Sequence, residues 1–346
     1  MSFRGLSVPP SSDELFERAV RACREASQAG GRSSLERARK RYVRCVKASS
    51  SLVASTLREI YRKSPYVDRL HPFYRELCSI AFDVDAYRAC LSRVRSVERI
   101  VRRIALESTR SISAATVAKE AAKARRSFFG RLGSLLESLD DCLRLLREAA
   151  LRMREFPEVN TDVPSVIIAG APNVGKSSLL RALTRAKPEV KPYPFTTKSI
   201  ILGMLDLEGI NVQLVDTPGL LDTPLEEKSR IERQAILALR HLGDAVILVV
   251  DPTETCGFPL DFQRKVYMQV VDLVRGSPVL LVANKLDIAN EEHLRAFEKV
   301  FENPDYLAVS AEKKINLDKL VERLHFHLKS SAKRGTCSSI APRRPS

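Results

Sequence analysis

Residues 165–183 read SVIIAGAPNVGKSSLLRAL: an apolar β-branched run, a glycine-bounded turn ending in Lys-Ser, and an apolar helical segment, with nothing between them. A Gly-rich turn between strand and helix lets several backbone N–H groups converge on an anion, and the helix that follows aims its positive end at the same point. Gly170, Ala171, Pro172, Asn173, Val174, Gly175, Lys176 and Ser177, with Ser178 behind them, are therefore the expected phosphate cradle. Lys176 is expected to reach the β- and γ-phosphates and the Ser177 hydroxyl to coordinate Mg²⁺.

The strand before this turn is the first of six short β-branched runs, at 165–169, 199–207, 211–215, 245–250, 278–283 and 306–310, separated by helical segments. Strands alternating with helices predict a mostly parallel six-stranded sheet with helices on both faces. This α/β P-loop domain is expected to occupy residues 159–329, with a basic, disordered tail over 330–346. Residues 1–158 have a different texture. Ser11 and Glu14 form a capping box that predicts a first helix running to about Gly30, and a second is expected over Ser34–Lys63, broken by Pro65. Val94, Val97, Val101 and Ile104 recur at helical spacing while Arg93, Arg95, Arg99, Arg102 and Arg103 take the other faces. A last helix, from about Ala114 to Phe156, carries a leucine stripe from Leu132 to Leu146 and is expected to kink at Gly130 or Gly133. Such stripes bury against each other in an all-α antiparallel bundle.

Three further motifs fall at strand ends in the order a nucleotide site needs. Asp216 in DTPG is expected to hold the water shell of Mg²⁺, and the Gly219 N–H to bond the γ-phosphate. In NKLD, the Asp287 carboxylate can accept from guanine N1–H and the N2 amine together, whereas adenine would leave it unpaired. Lys285 can lay its stem along the base, and Asn284 can tie this loop to the phosphate turn. Ser310 and Ala311 stand where a backbone N–H can meet guanine O6. Between the first two runs, KPYPFTTKS must supply a threonine for Mg²⁺ and the γ-phosphate, Thr197 first and Thr196 as the alternative. The set specifies GTP and GDP, with Lys176, Thr197, Gly219 and Asn173 nearest the chemistry. After DTPG stands Leu220, which can neither donate nor accept, so slow intrinsic hydrolysis is expected.

The net charge of +15 is unevenly placed: residues 1–158 carry +13, 159–329 carry −2 and 330–346 carry +4. A nucleotide-hydrolysing domain is thus joined to one that seeks polyanions. No apolar run reaches the roughly 18 residues of a membrane span, and the basic helices lack Trp or Phe anchors for a lipid surface. With no signal peptide at the start, a cytoplasmic location is expected. The seven cysteines are scattered singly, which predicts reduced, buried thiols.

GAPNVGKSS, YPFTTKS, DTPGLLDTPLEE and NKLD together resemble the Obg group of GTPases. Residues 65–94, PYVDRLHPFYRELCSIAFDVDAYRACLSRV, resemble the helical domain of its nucleolar GTP-binding protein branch, over a span from about residue 5 to 330. The resemblance is to the short, archaeal-type form, without the C-terminal extension of eukaryotic members. It implies binding to the large ribosomal subunit or its precursor, with the GTP cycle timing association or release, and rRNA met through phosphate and shape. It also implies K⁺ beside the phosphates, held in part by Asn173. A monomer off the ribosome is expected. The alternatives are a nucleotide-gated scaffold with negligible turnover and a membrane-associated G protein.

Overall fold

Ser11 caps the first helix, its hydroxyl accepting from the Glu14 N–H at 3.1 Å, but the Glu14 carboxylate pairs with Arg18 and does not close the expected capping box. The computed structural model describes residues 3–26, 33–222, 226, 228–274 and 276–335. The expected end of that helix near Gly30 lies outside them. The chain divides into two compact units, Phe3–Leu70 with Ala81–Arg154, and His71–Ile80 with the chain from Glu155 onward.

The first unit is helical. It contains α1 (Ser12–Glu25), α2 (Ser34–Lys63), α4 (Val84–Ala114), α5 (Ala118–Glu137) and α6 (Asp140–Arg154), with α2 packed on α1, α4 and α5, and α4 on α5 and α6. On α4 the predicted stripe of Val94, Val97, Val101 and Ile104 is buried and the interleaved arginines are exposed. Each such buried aliphatic side chain contributes about 1.5–3 kcal/mol. The single long helix expected up to Phe156 is instead two. Gly130 and Gly133 sit within unbroken α5, and the break comes at Ser138–Leu139, where Asp140 begins a new first turn and accepts from the Ser12 hydroxyl at 2.6 Å. The expectation of lone, reduced cysteines also needs correction. Cys23 pairs with Cys45 and Cys90 with Cys142 as disulfides, because helix packing brings together residues 22 and 52 positions apart, which local spacing does not reveal. Cys78 and Cys256 are free and buried; Cys337 lies outside the described residues.

The second unit is built on a seven-stranded sheet. In chain order its elements are α3 (Pro72–Ala81), β1 (Ser165–Ala169), α7 (Lys176–Leu183), β2 (Glu189–Pro192), β3 (Ser199–Leu207), β4 (Ile210–Asp216), α8 (Arg230–Ala238), β5 (Ala245–Val250), α9 (Leu260–Leu273), β6 (Val279–Ala283), α10 (Glu291–Val300), β7 (Tyr306–Ala308) and α11 (Leu317–Gly335). The strand order is β2-β3-β4-β1-β5-β6-β7, antiparallel at β2/β3 and β3/β4 and parallel elsewhere. The six expected runs all take part, and β2 is an addition at the edge, four mostly exposed residues that apolar patterning does not mark. Fully buried Val166, Ile168, Leu214, Ile247, Val249 and Val282 are among the strand residues that build the core. Helix α11 continues through Gly335, past the expected end of the domain at 329; residues 336–346 of the expected tail lie outside the described residues.

A boundary after residue 158 does not describe α3, which belongs with the α/β unit. Its Phe73 and Tyr74 are buried; the Tyr74 hydroxyl donates to the Pro157 carbonyl at 2.9 Å and accepts from the Val159 N–H at 2.9 Å. Glu76 accepts from Arg240 at 3.2 Å and bonds His241 at 2.7 Å. Aromatic residues starting an amphipathic helix are here core.

Candidate functional site

β1 lies between β4 and β5, where the strand order reverses, and in an open α/β sheet that switch point is where ligands bind. Its carboxyl end runs into the Gly170–Gly175 turn, and α7 starts at Lys176. The two glycines are demanded by space as well as conformation. At Gly170 (φ 143°) a Cβ would lie 2.2 Å from the Val249 carbonyl oxygen, and at Gly175 (φ 99°) 2.2 Å from Asn284 Nδ2. Asn173 also has positive φ, 59°, and its amide reaches the Cys256 carbonyl at 3.5 Å.

Lys176 is buried, donating to the Gly170 and Ala171 carbonyls at 2.9 and 2.7 Å. Burial pulls its pKa below the ordinary lysine value, and the negative charges of Asp222 and Asp216 only partly oppose this. The Ser177 hydroxyl donates to Asp216 Oδ2 at 2.5 Å. Burial raises the Asp216 pKa, against the Ser177 hydrogen bond and the Lys176 charge. Its Oδ1 is buried without a hydrogen-bond partner among the described residues, the sort of orphaned acceptor that a cation's water shell satisfies. With a hydroxyl beside it, this is a hard-oxygen donor set that fits Mg²⁺. The Gly219 N–H donates to Asp222 Oδ2 at 2.7 Å, and the Gly219 carbonyl accepts from Lys228 at 3.1 Å. Pro172, Asn173, Lys176, Ser177, Pro218 and Asp222 are among the residues around a cavity of about 370 Å³.

Neither Thr196 nor Thr197 lines that cavity. The Thr196 hydroxyl is engaged locally, donating to the Tyr193 carbonyl at 3.0 Å and accepting from the Lys198 N–H at 3.1 Å, while Thr197 is exposed. Their loop is pinned by a residue that motif reading passed over: Tyr193 is buried, its ring 6.5 Å from Phe73 and its hydroxyl donating to the Ala235 carbonyl of α8 at 2.6 Å.

A second cavity, about 230 Å³, is lined by Gly175, Ser178, Asn284, Lys285, Asp287 and Ala311 among others. Asn284 does what its position predicts. Its Nδ2 donates to the Val174 carbonyl at 2.9 Å, tying the NKLD loop to the phosphate turn, and its Oδ1 accepts from the Ala311 N–H at 3.0 Å. Both amides are thus engaged, the Ala311 N–H by Asn284 and the Ser310 N–H by the Ile315 carbonyl at 3.2 Å, and the Ser310 hydroxyl donates to Asp287 Oδ1 at 2.6 Å.

Asp251, at the end of β5, was not anticipated. Its Oδ2 accepts from Lys285 Nζ at 2.7 Å and from the Cys256 N–H at 2.8 Å, and its Oδ1 from the Thr253 hydroxyl at 2.6 Å. Burial alone would raise its pKa, but hydrogen bonds from Lys285 and Thr253 and the Lys285 charge outweigh it and the net shift is downward. Gln263 of α9 braces the same turn, accepting from the Asp251 N–H at 2.8 Å and donating to its carbonyl at 3.0 Å. The available signal was DPTET, an aspartate at a strand end with threonines two and four positions on, an Asx-turn pattern beside NKLD.

The strand–turn–helix phosphate cradle, an aspartate at the neighbouring strand end and an NKLD loop bonded to the cradle together define a GTP-binding P-loop GTPase. Residues 3–160 match the family described as NOG1 N-terminal helical domain, and 165–285 the family described as 50S ribosome-binding GTPase. An uncharacterized protein of Methanocaldococcus jannaschii is 36% identical over 250 residues, 72% of this chain and 70% of that protein. Nucleolar GTP-binding protein 1 of Encephalitozoon cuniculi is 32% identical over 80% of this chain and 53% of its own length, and that of Eremothecium gossypii 31% identical over 85% and 46%. The chain belongs to the nucleolar GTP-binding protein family. It spans about half the length of these two eukaryotic relatives. No helix among the described residues is long and apolar enough to cross a membrane.

Proposed function

We propose that this chain hydrolyses GTP as an assembly factor of the large ribosomal subunit, meeting rRNA or a pre-ribosomal particle through its basic helical region while the nucleotide times association or release. The carrying observation is the joining of a P-loop GTPase domain to a region of net charge +13 over residues 1–158. On α4 alone Arg93, Arg95, Arg99, Arg102, Arg103 and Arg110 are exposed, a density of cations that suits a phosphate backbone. The relatives named for nucleolar GTP binding support the same reading.

In this reading Gly170–Ser178 cradle the phosphates, Asn284, Lys285 and Asp287 hold the base, and the Gly219 N–H senses the γ-phosphate. Lys176 exchanges its two carbonyl acceptors for phosphate oxygens. Ser177, Thr197 or Thr196, and Asp216 through water would hold Mg²⁺, which neutralises charge on the β- and γ-oxygens. Buried Leu220 cannot orient water, so intrinsic turnover is slow and the ribosomal particle supplies the stimulus. Asn173 is the proposed protein contact for K⁺; equal turnover in KCl and NaCl removes that part.

The deciding experiment is sedimentation with ribosomal particles under GDP or a non-hydrolysable GTP analogue. Co-migration with large subunits or their precursors, in amounts that differ between the two nucleotides, is the expected result. Absence from those fractions in both states sinks the assembly role.

A further inference from the structure

We infer that Asp222 sets the preference between GTP and GDP by competing with the γ-phosphate for the Gly219 N–H, an inference that rests on the guanine-nucleotide reading of the site. The Gly219 N–H donates to Asp222 Oδ2 at 2.7 Å, and Asp222 lines the same cavity as Lys176 and Ser177. It is 7% exposed and close enough for its charge to act on Lys176.

A carboxylate and a phosphate oxygen are both anionic acceptors, and one backbone N–H cannot serve both at full strength. Charge-assisted bonds of this type are about twice as strong as neutral ones, so the competition has weight. Two like charges in one low-dielectric cavity also repel. A bound triphosphate must therefore displace Asp222 from Gly219, whereas a diphosphate, which lacks the group that needs this N–H, leaves the contact in place.

The contact is also poised to give way. Asp222 Oδ1 is buried with no hydrogen-bond partner among the described residues, and a buried carboxylate oxygen left unpaired is costly. Swinging outward exposes that oxygen to water, which offsets part of the lost hydrogen bond. Lys228 holds the Gly219 carbonyl at 3.1 Å, so the peptide unit that follows the N–H is anchored while the N–H changes its acceptor. Asp222 acts through Gly219 and is a specificity-determining residue, with no part in bond breaking.

The test is equilibrium binding of GDP and of a non-hydrolysable GTP analogue to the full chain, for wild type, Asp222→Ala and Asp222→Asn. Asp222→Ala is expected to raise analogue affinity relative to GDP by about tenfold, the worth of one charge-assisted bond. Asp222→Asn keeps an acceptor but drops the charge, so its ratio should fall between the other two. GDP affinity serves as the check on folding. A ratio unchanged in Asp222→Ala, or equal weakening of both nucleotides, overturns the inference while leaving the nucleotide site intact. Wild type that binds neither nucleotide overturns the underlying reading instead.

Discussion

In the proposed site Asp287 would carry guanine selectivity through two acceptor oxygens, one of which accepts from the Ser310 hydroxyl at 2.6 Å. Asp287→Asn should weaken GTP on the order of a hundredfold, two charged hydrogen bonds being lost, and admit xanthine nucleotide, whose position-2 carbonyl suits the new amide donor. Unchanged affinity for both in a fluorescent-nucleotide titration would refute the assignment. Asp251 acts one step further back. By holding Lys285 Nζ at 2.7 Å it keeps the lysine stem in line beside the base cavity. Asp251→Asn should cost about tenfold in affinity for GDP and for the GTP analogue alike, an equality that separates it from Asp222, whose loss alters their ratio. A changed ratio in Asp251→Asn would contradict this positioning role. These residues also mark what could be read in advance. The phosphate turn, Asp216 and NKLD are legible because consecutive residues at a strand end specify the chemistry. Asp222, Asp251 and Tyr193 find their partners only when a loop folds back, and the backbone partners of Ser310 and Ala311 cannot be read from residue type.

At the scale of elements, α3 is the least expected placement. Residues 71–80 have the amphipathic spacing of a bundle helix, yet the chain returns them to the α/β unit. The Tyr74 hydroxyl makes that placement specific, bonding both Pro157 and Val159, and burial pushes its pKa up to about 12. Tyr74→Phe keeps the ring's packing but leaves the Val159 N–H without this partner. A loss of about 1–3 kcal/mol in denaturant unfolding is expected, with no change in guanine-nucleotide affinity. Stability equal to wild type would show that water replaces the hydroxyl. The strands were easier to foresee than the helices' ends. Apolar, β-branched runs mark six strands, among them β3, which pairs only antiparallel; edge strand β2, Glu189–Pro192, is mostly exposed and carries no such run. The break between α5 and α6 was missed for a different reason: Ser138 and Asp140 are ordinary helix residues by propensity, and their roles as stop and start come from the turn they share.

Across the whole chain the decisive asymmetry is electrostatic, +13 on residues 1–158 against −2 on 159–329. If those cations meet phosphates, binding to RNA or ribosomal particles must fall steeply with salt, because each phosphate contact releases counterions. Isolating residues 1–158 would be a poor test, since it removes α3 from Val159, Tyr193, Arg240 and His241 and exposes Phe73, Tyr74 and Leu77. The full chain with Arg93, Arg95 and Arg99 changed to Gln is a better one. All three are exposed on α4, between buried Val94 and Val97 or just beyond, so the core stripe is untouched and the fold should survive. If each contacts one phosphate, the slope of log affinity against log salt should drop by about 2–3, at roughly 0.7–0.9 per contact. Affinity for GDP should not move, because the nucleotide cavities contain none of these residues. A slope equal to wild type would place the polyanion contact away from these three arginines, and a salt-independent wild type would remove the phosphate-backbone mode altogether.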